Sequence, residues 1–187
     1  MRCAQRAGAQ VSRRCASAAG WGSRWSSRSR LPDVRIDREA LTAIVAHARR
    51  DAPNECCGLL VGRANGLAER KTEGPAEAGP DVLEAIPCSN GATDPTRRYE
   101  ISPIDYFAQI RRCRRINEAQ SERFAVVGAY HSHPRGGSEP SETDVEQAFR
   151  DFIFLIVGLG GSIGGMEICA YDFHDDQLMP VPLIVVD

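Results

Sequence analysis

The sequence predicts an α/β domain: a mixed β-sheet covered by helices. Short apolar runs, among them ECCGLLVGR (55–63), FAVVGAYHSH (124–133) and FIFLIVGLG (152–160), have the length and continuity of buried strands. Segments of helical period lie between them without a strict βαβ rhythm, which favours a mixed over an all-parallel sheet. At 187 residues and 42% hydrophobic content, the chain can bury one core, with or without a tail.

Residues 1–32 hold seven arginines and no acidic residue. This Arg/Ser/Ala-rich stretch has the look of a transit peptide, yet it lacks the apolar segment of a secretory signal. It is expected to be a disordered extension because such composition cannot bury a core. The folded domain is then 33–187. From Ile36 the pattern turns helical: Leu41, Ile44, Val45 and Ala48 share a face, Asp37 is the expected N-cap, and Pro53 ends the helix. The strand at 55–63 follows, then turn chemistry at Asn65-Gly66 and a possible returning strand, LAERKTE (67–73). GPAEAGP (74–80) reads as loop, VLEAIPC (82–88) as strand, and SNGATDPTR (89–97) as a long polar connection. Ser102-Pro103 opens a second helix, with Ile104, Phe107, Ile110 and the stem of Arg114 as its inner face. Its basic run, Arg111–Arg115, reads as a solvated face. The strand 124–133, a helix over SETDVEQAFRDF (141–152) and the strand 152–160 come next. MEICAYDF (166–173) and LMPVPLIVV (178–186) close the order around Asp175-Asp176.

Charge narrows the function. Beyond residue 32, 16 basic residues face 25 acidic ones, about −9 in all. So acidic a body repels phosphate, and nucleic acid is not expected as a partner. No stretch approaches the ~18–20 apolar residues of a membrane span, so no membrane role is expected. The 22 arginines against one lysine read as a codon bias. Seven cysteines occur in an odd set with no C-x-x-C pair, which supports neither a cysteine zinc knuckle nor a dithiol redox site. They are expected to be reduced thiols, in keeping with a cytoplasmic protein.

Chemistry concentrates in AYHSHPRGGSEPSETD (129–144). Alternate strand residues point to one side, so His131 and His133 can aim two imidazoles at one point. Pro134 ends the strand, PRGGSEP lets the chain turn back, and Asp144 falls in the first turn of the next helix. Two neutral imidazoles and a carboxylate form the three-ligand set of a catalytic zinc, with the fourth position open to water. Iron or nickel could occupy such a site in vitro. Taken singly, the parts have plainer readings: two partly exposed histidines, and a capping box from Ser141 to Asp144. Only the zinc reading uses all of them.

His131-x-His133, seven residues, Ser141, two residues and Asp144 resemble the JAMM motif of the MPN-type zinc metalloproteases, and PNECCGLLVG offers Glu55 in the setting of that family's upstream glutamate. The resemblance runs from about Ile36 to the C-terminus, includes RRYEIS before a helix, and is to the compact bacterial members. It implies a cytidine-deaminase-like, three-layer mixed sheet flanked by helices. It implies one zinc per chain on His131, His133 and Asp144, with Glu55 as general base and Ser141 as donor to the oxyanion or the water. The implied substrate is a ubiquitin-like or sulfur-carrier protein, cut at the amide after its Gly-Gly tail. Little room remains after Asp144 for the insertions of polyubiquitin cleavers. The tail is expected to bind by strand addition at a sheet edge beside His131 and Glu55.

Two readings compete. A catalytically silent MPN scaffold would have lost metal positions, and all four are present. GGSIG (160–164) matches the G-x-S-x-G elbow of serine hydrolases around Ser162, but the next segment reads as strand where that motif needs a helix. A zinc deaminase would need H-x-E and P-C-x-x-C, which are missing. His47 and His174 stand alone and read as structural or exposed. Cys56 and Cys57, beside Glu55, invite a sulfur-handling role that a buried strand explains equally well.

Overall fold

The computed structural model describes residues 33–64, 79–120, 123–160 and 165–187. The expected extension at 1–32, the turn and returning strand at 65–73, and Ser162 lie outside them. Eight described strands form one mixed sheet in the order β7-β6-β5-β4-β2-β3-β1-β8. In chain order these are β1 (Val34–Asp37), β2 (Cys57–Arg63), β3 (Asp81–Cys88), β4 (Phe124–His133), β5 (Ile153–Gly158), β6 (Glu167–His174), β7 (Gln177–Val181) and β8 (Leu183–Val186). The helices are α1 (Arg38–Asp51), α2 (Pro103–Gln120) and α3 (Glu142–Gln147). Only Pro182 separates β7 from β8, although the two strands are the opposite edges of the sheet. The sheet therefore curls until its edges meet, the sense in which strand twist accumulates.

One core lies under α1, where Leu41, Ile44 and Ala48 pack on Val34, Ile36, Leu60, Val127 and Tyr130. Across the sheet, Ala129, Phe154, Ile156 and Tyr171 meet Tyr106 of α2 and Val145 of α3. These are the three layers. Strands β2 and β5 are buried on both faces, which is why each reads as an almost unbroken apolar run. Asp37 caps α1 as expected, its carboxylate accepting from the amides of Glu39 (2.8 Å) and Ala40 (3.2 Å). His47, on the inner side of α1, bridges the Tyr130 hydroxyl (2.8 Å) and Asp51 (3.0 Å), a structural role.

Several expectations are corrected. Ile104 is 76% and Phe107 54% exposed, so α2 is rotated from the expected phase. Its inner row is Tyr106, Ile110, Cys113 and Asn117, and the Asn117 amide exchanges hydrogen bonds with the backbone of Phe124 (2.7 and 2.9 Å). Arg112 leaves the solvated face to pair with Glu84 at 2.8 Å. Helix α3 stops at Gln147, five residues short of the expected end, as Ala148 turns extended. The segment 178–186 is two strands, and β1 was missed altogether. Cys56, Cys57, Cys88 and Cys113 are free and buried. No helix among the described residues is long and apolar enough to cross a membrane.

Loss of the α1 cap isolates a local contribution to this frame. Asp37→Ala should lower unfolding free energy by about 0.5–2 kcal/mol in urea titrations, with the m-value unchanged. A stability equal to that of the parent would mean that the cap contributes nothing net.

Candidate metal centre

Strand β4 is clamped between β2 and β5, with His131 opposite Cys57 on one side and Ile156 on the other. Alternation sends Tyr130 to the α1 layer and His131 with His133 to the opposite layer, beneath Tyr99. Ser132, between the histidines, faces away from them. Its hydroxyl accepts from the Cys56 amide (2.9 Å) and its own amide donates to the Cys56 carbonyl (3.1 Å). This double bond to the segment ahead of β2 sets Glu55 beside the end of β4.

Three ligand atoms converge. The Nε2 atoms of His131 and His133 are 3.0 Å apart, and they lie 3.2 and 3.4 Å from the two Asp144 oxygens. A tetrahedral zinc with bonds of roughly 2.0–2.1 Å spaces its ligands by about 3.3–3.4 Å, close to each of these separations, and one ligand atom from each of the three side chains lies within 4.8 Å of the others. His133 Nδ1 donates to the Gly137 carbonyl (3.1 Å), which in the neutral ring leaves the Nε2 lone pair facing the centre. Tyr99 stacks on His131 with ring centroids 4.4 Å apart. The capping box is present as well: the Ser141 amide and hydroxyl both donate to Asp144 Oδ2 at 2.7 Å, and the Asp144 amide returns to Ser141 Oγ at 3.2 Å. The plain reading and the metal reading are thus both satisfied by one carboxylate. The Ser141 hydroxyl must turn from Asp144 before it can donate to a substrate oxygen.

Electrostatics fit a cation acceptor. Burial pushes the His131 pKa down, keeping the ring neutral. Burial also acts on His133, but hydrogen bonding and charge from Asp144, then Glu55, outweigh it and raise its pKa. For Asp144, burial raises the pKa, and the two histidines and Ser141 overcome that to hold the carboxyl well below its usual range. Glu55 is buried, with a pKa raised to about 7, first by desolvation and then by Asp144 and Asp94, against the pull of His133. A dication at the triangle would draw it back down.

Glu55, His133, Ser141 and Asp144 share an open cleft of about 360 Å³. The structure therefore brings together His131, His133, Asp144, Glu55 and Ser141. It does not offer the expected sheet edge: β2 and β4 are each paired on both sides, so a peptide tail cannot extend them. Strand β5 is followed by antiparallel β6, which removes the strand–helix setting of a nucleophile elbow. Burial pushes the Cys56 thiol up to about 11 and Cys57 to about 12, which disfavours a thiolate at either. Sequence reading missed Ser132, Tyr99 and Asn90, whose amide binds the Glu55 carbonyl at 2.9 Å. Strand alternation could have flagged Ser132, but nothing local marks an asparagine 35 residues away.

Comparison with known proteins follows the same lines. The family described as prokaryotic homologs of the JAB domain matches residues 37–170. A desampylase of Haloferax volcanii is 30% identical over 148 residues, 76% of this chain and 92% of that one. A CysO-cysteine peptidase of Mycobacterium tuberculosis is 32% identical over 153 residues, 81% and 90%. Tail tip assembly protein K of Escherichia phage N15 is 29% identical over 110 residues; that match covers 59% of this chain and 34% of the longer phage protein. The solution structure of a protein from Desulfitobacterium hafniense superposes with a TM-score of 0.58 at 23% identity, over 82% of this chain and 93% of that one. That likeness shows the fold.

A triangle of this size should take up about one zinc per chain. His131→Ala and Asp144→Ala should each abolish uptake, read by elemental analysis after gel filtration. Gly158→Ala should weaken it, because a Cβ there would lie 2.3 Å from the backbone of Gly137, whose carbonyl orients His133. Stoichiometric zinc in the His131 variant would place the metal elsewhere.

Proposed function

The chain belongs to the prokaryotic JAB-domain family, and on that premise we propose that it is a zinc peptidase cutting the amide after the Gly-Gly tail of a ubiquitin-like or sulfur-carrier protein. The observation that carries the reading is the His131–His133–Asp144 triangle with a buried Glu55 in the same open cleft. The names of the two peptidase relatives support the class of substrate. A bound zinc would supply Lewis acidity, polarising a carbonyl and lowering the pKa of a water in its open position to about 7.

The side chains divide the remaining work. Glu55 accepts the proton of the attacking water and hands it to the leaving amine as the C–N bond breaks. Its place in the same cleft as the triangle lets the carboxyl carry the proton in both directions. Ser141, once its hydroxyl turns outward, donates to the oxygen on which charge develops. Asp144 keeps its place through the Ser141 amide while that happens. Tyr99 covers one face of His131 and keeps bulk water from it. Because β2 and β4 have no free edge, the tail reaches the triangle across the strand ends, between the 96–99 loop and the 134–136 turn. Glycines suit that approach, since they bring backbone to the site without side chains in the way.

Glu55→Gln should keep zinc and fold while lowering kcat by about 10²–10⁴-fold. Ser141→Ala should lose roughly 10²–10³-fold. Ser162→Ala is the control and should stay near the parent rate; inactivity there would favour a serine hydrolase. Parent-level turnover by zinc-loaded Glu55→Gln would assign the base elsewhere.

Substrate choice is tested with a Gly-Gly isopeptide conjugate of a ubiquitin-like carrier. Cleavage should fall after the second glycine, and replacing that glycine by valine should cut kcat/KM sharply. Equal cleavage of both, or hydrolysis of casein alone, would leave a general peptidase.

A further inference from the structure

Three arginines line the cleft beside the metal triangle: Arg97 and Arg98 on one wall, Arg135 on the other. Their presence runs against the acidic balance of the body, 16 basic to 25 acidic residues beyond residue 32. All three are exposed, and none has an ion-pair partner among the described residues. Arg35, Arg38, Arg50 and Arg112, by contrast, each sit against a carboxylate. The cleft thus presents guanidinium groups that pair with neither of its own acidic residues, Glu55 and Asp144.

The wall carrying Arg97 and Arg98 is fixed to Glu55. The Glu55 amide donates to the Pro95 carbonyl at 2.7 Å. The Asn90 side-chain amide donates to the carbonyls of both Glu55 (2.9 Å) and Arg98 (2.8 Å). Its oxygen accepts from the amides of Ala92 (2.9 Å) and Glu100 (3.2 Å), and Gly91 donates to the Glu100 carbonyl at 2.9 Å. The 90–100 loop is therefore closed on itself and held to the residue that protonates the leaving amine. A group attached to that amine can lie against this loop, which lines the same cleft as Glu55.

Resting on the peptidase reading above, we infer that Arg97 and Arg98, faced by Arg135, form a leaving-group subsite that recognises a free α-carboxylate. The preferred substrate is then a carrier tail joined to a single amino acid. In such a conjugate the carboxylate sits one carbon from the scissile nitrogen, in the cleft that Glu55, Arg97 and Arg98 line together. In a conjugate to the side chain of an internal lysine, the amine leads away through a methylene chain to an amidated, uncharged backbone. Guanidinium groups match carboxylates in both charge and fork geometry, so they discriminate between these two leaving groups.

The test uses the zinc-loaded Glu55→Gln protein, which should bind without turnover. It is titrated calorimetrically with a short peptide ending in Gly-Gly-Ala as the free acid, and with the same peptide as its C-terminal carboxamide. The acid should bind about tenfold tighter at low salt. Adding Arg97→Gln and Arg98→Gln, both exposed and so tolerated by the fold, should bring the ratio close to one. Restoring both as lysine should recover part of the preference. Equal affinity for acid and carboxamide in the arginine background overturns the inference, as does a preference that survives both substitutions. Cleavage by the parent enzyme separates the two levels. Unselective binding with cleavage sinks this inference alone, whereas selective binding with no cleavage sinks the peptidase reading and the leaving-group role with it.

Discussion

The Asp144 carboxylate sits where a strand end, a turn and a helix start meet, and it carries two loads at once. One oxygen takes the amide and hydroxyl of Ser141, each at 2.7 Å, closing the N-terminus of α3. The other faces His131 at 3.2 Å. Burying a carboxylate costs several kcal/mol unless hydrogen bonds replace its water, and here they do. The same bonds fix the carboxylate's direction, so the third corner of the triangle is held by helix capping. The turn from His133 to Ser141 must then lie tightly on β5. Gly158 and Gly160 permit this, since a Cβ at either would fall within 2.6 Å of the turn's backbone.

The histidine corners are held from behind. Tyr130 is completely buried between them and α1, and its hydroxyl meets His47, which in turn meets Asp51. Helix α1 thereby braces β4 from the layer opposite the site. Ser132 extends the bracing sideways to Cys56 and so to Glu55. Glu55 is thus positioned through its own backbone and that of Cys56, while its carboxyl faces the cleft. Its raised pKa follows from the burial this seam enforces.

Much of the site was legible because its determinants are local. Two histidines in strand alternation and an aspartate at a helix start need only the period of a strand and the rules of a cap. The cap of α1 and the full extent of β4 were legible for the same reason. The phase of α2 was not: Ile104 and Phe107 fit an apolar face as well as Tyr106 and Cys113 do, and what decides between them is the Asn117–Phe124 contact and the Arg112–Glu84 pair across the sheet. Strand β1 is four residues long and owes its place to parallel partners at 81–82 and 183–186, far away in sequence. The missing sheet edge beside the site follows from strand order, which no local pattern encodes. The closure of β7 on β8 through Pro182 is of the same kind.

The account stands on a cation being held by two imidazoles and one carboxylate, in a chain that also offers buried thiols at Cys56 and Cys57 close by. Zinc K-edge X-ray absorption on the protein loaded with one equivalent of zinc tests this directly. It should show a single shell of nitrogen and oxygen at about 2.0–2.1 Å, with the multiple-scattering signature of two imidazoles. A sulfur shell at about 2.3 Å, or a spectrum without imidazole scattering, would contradict it.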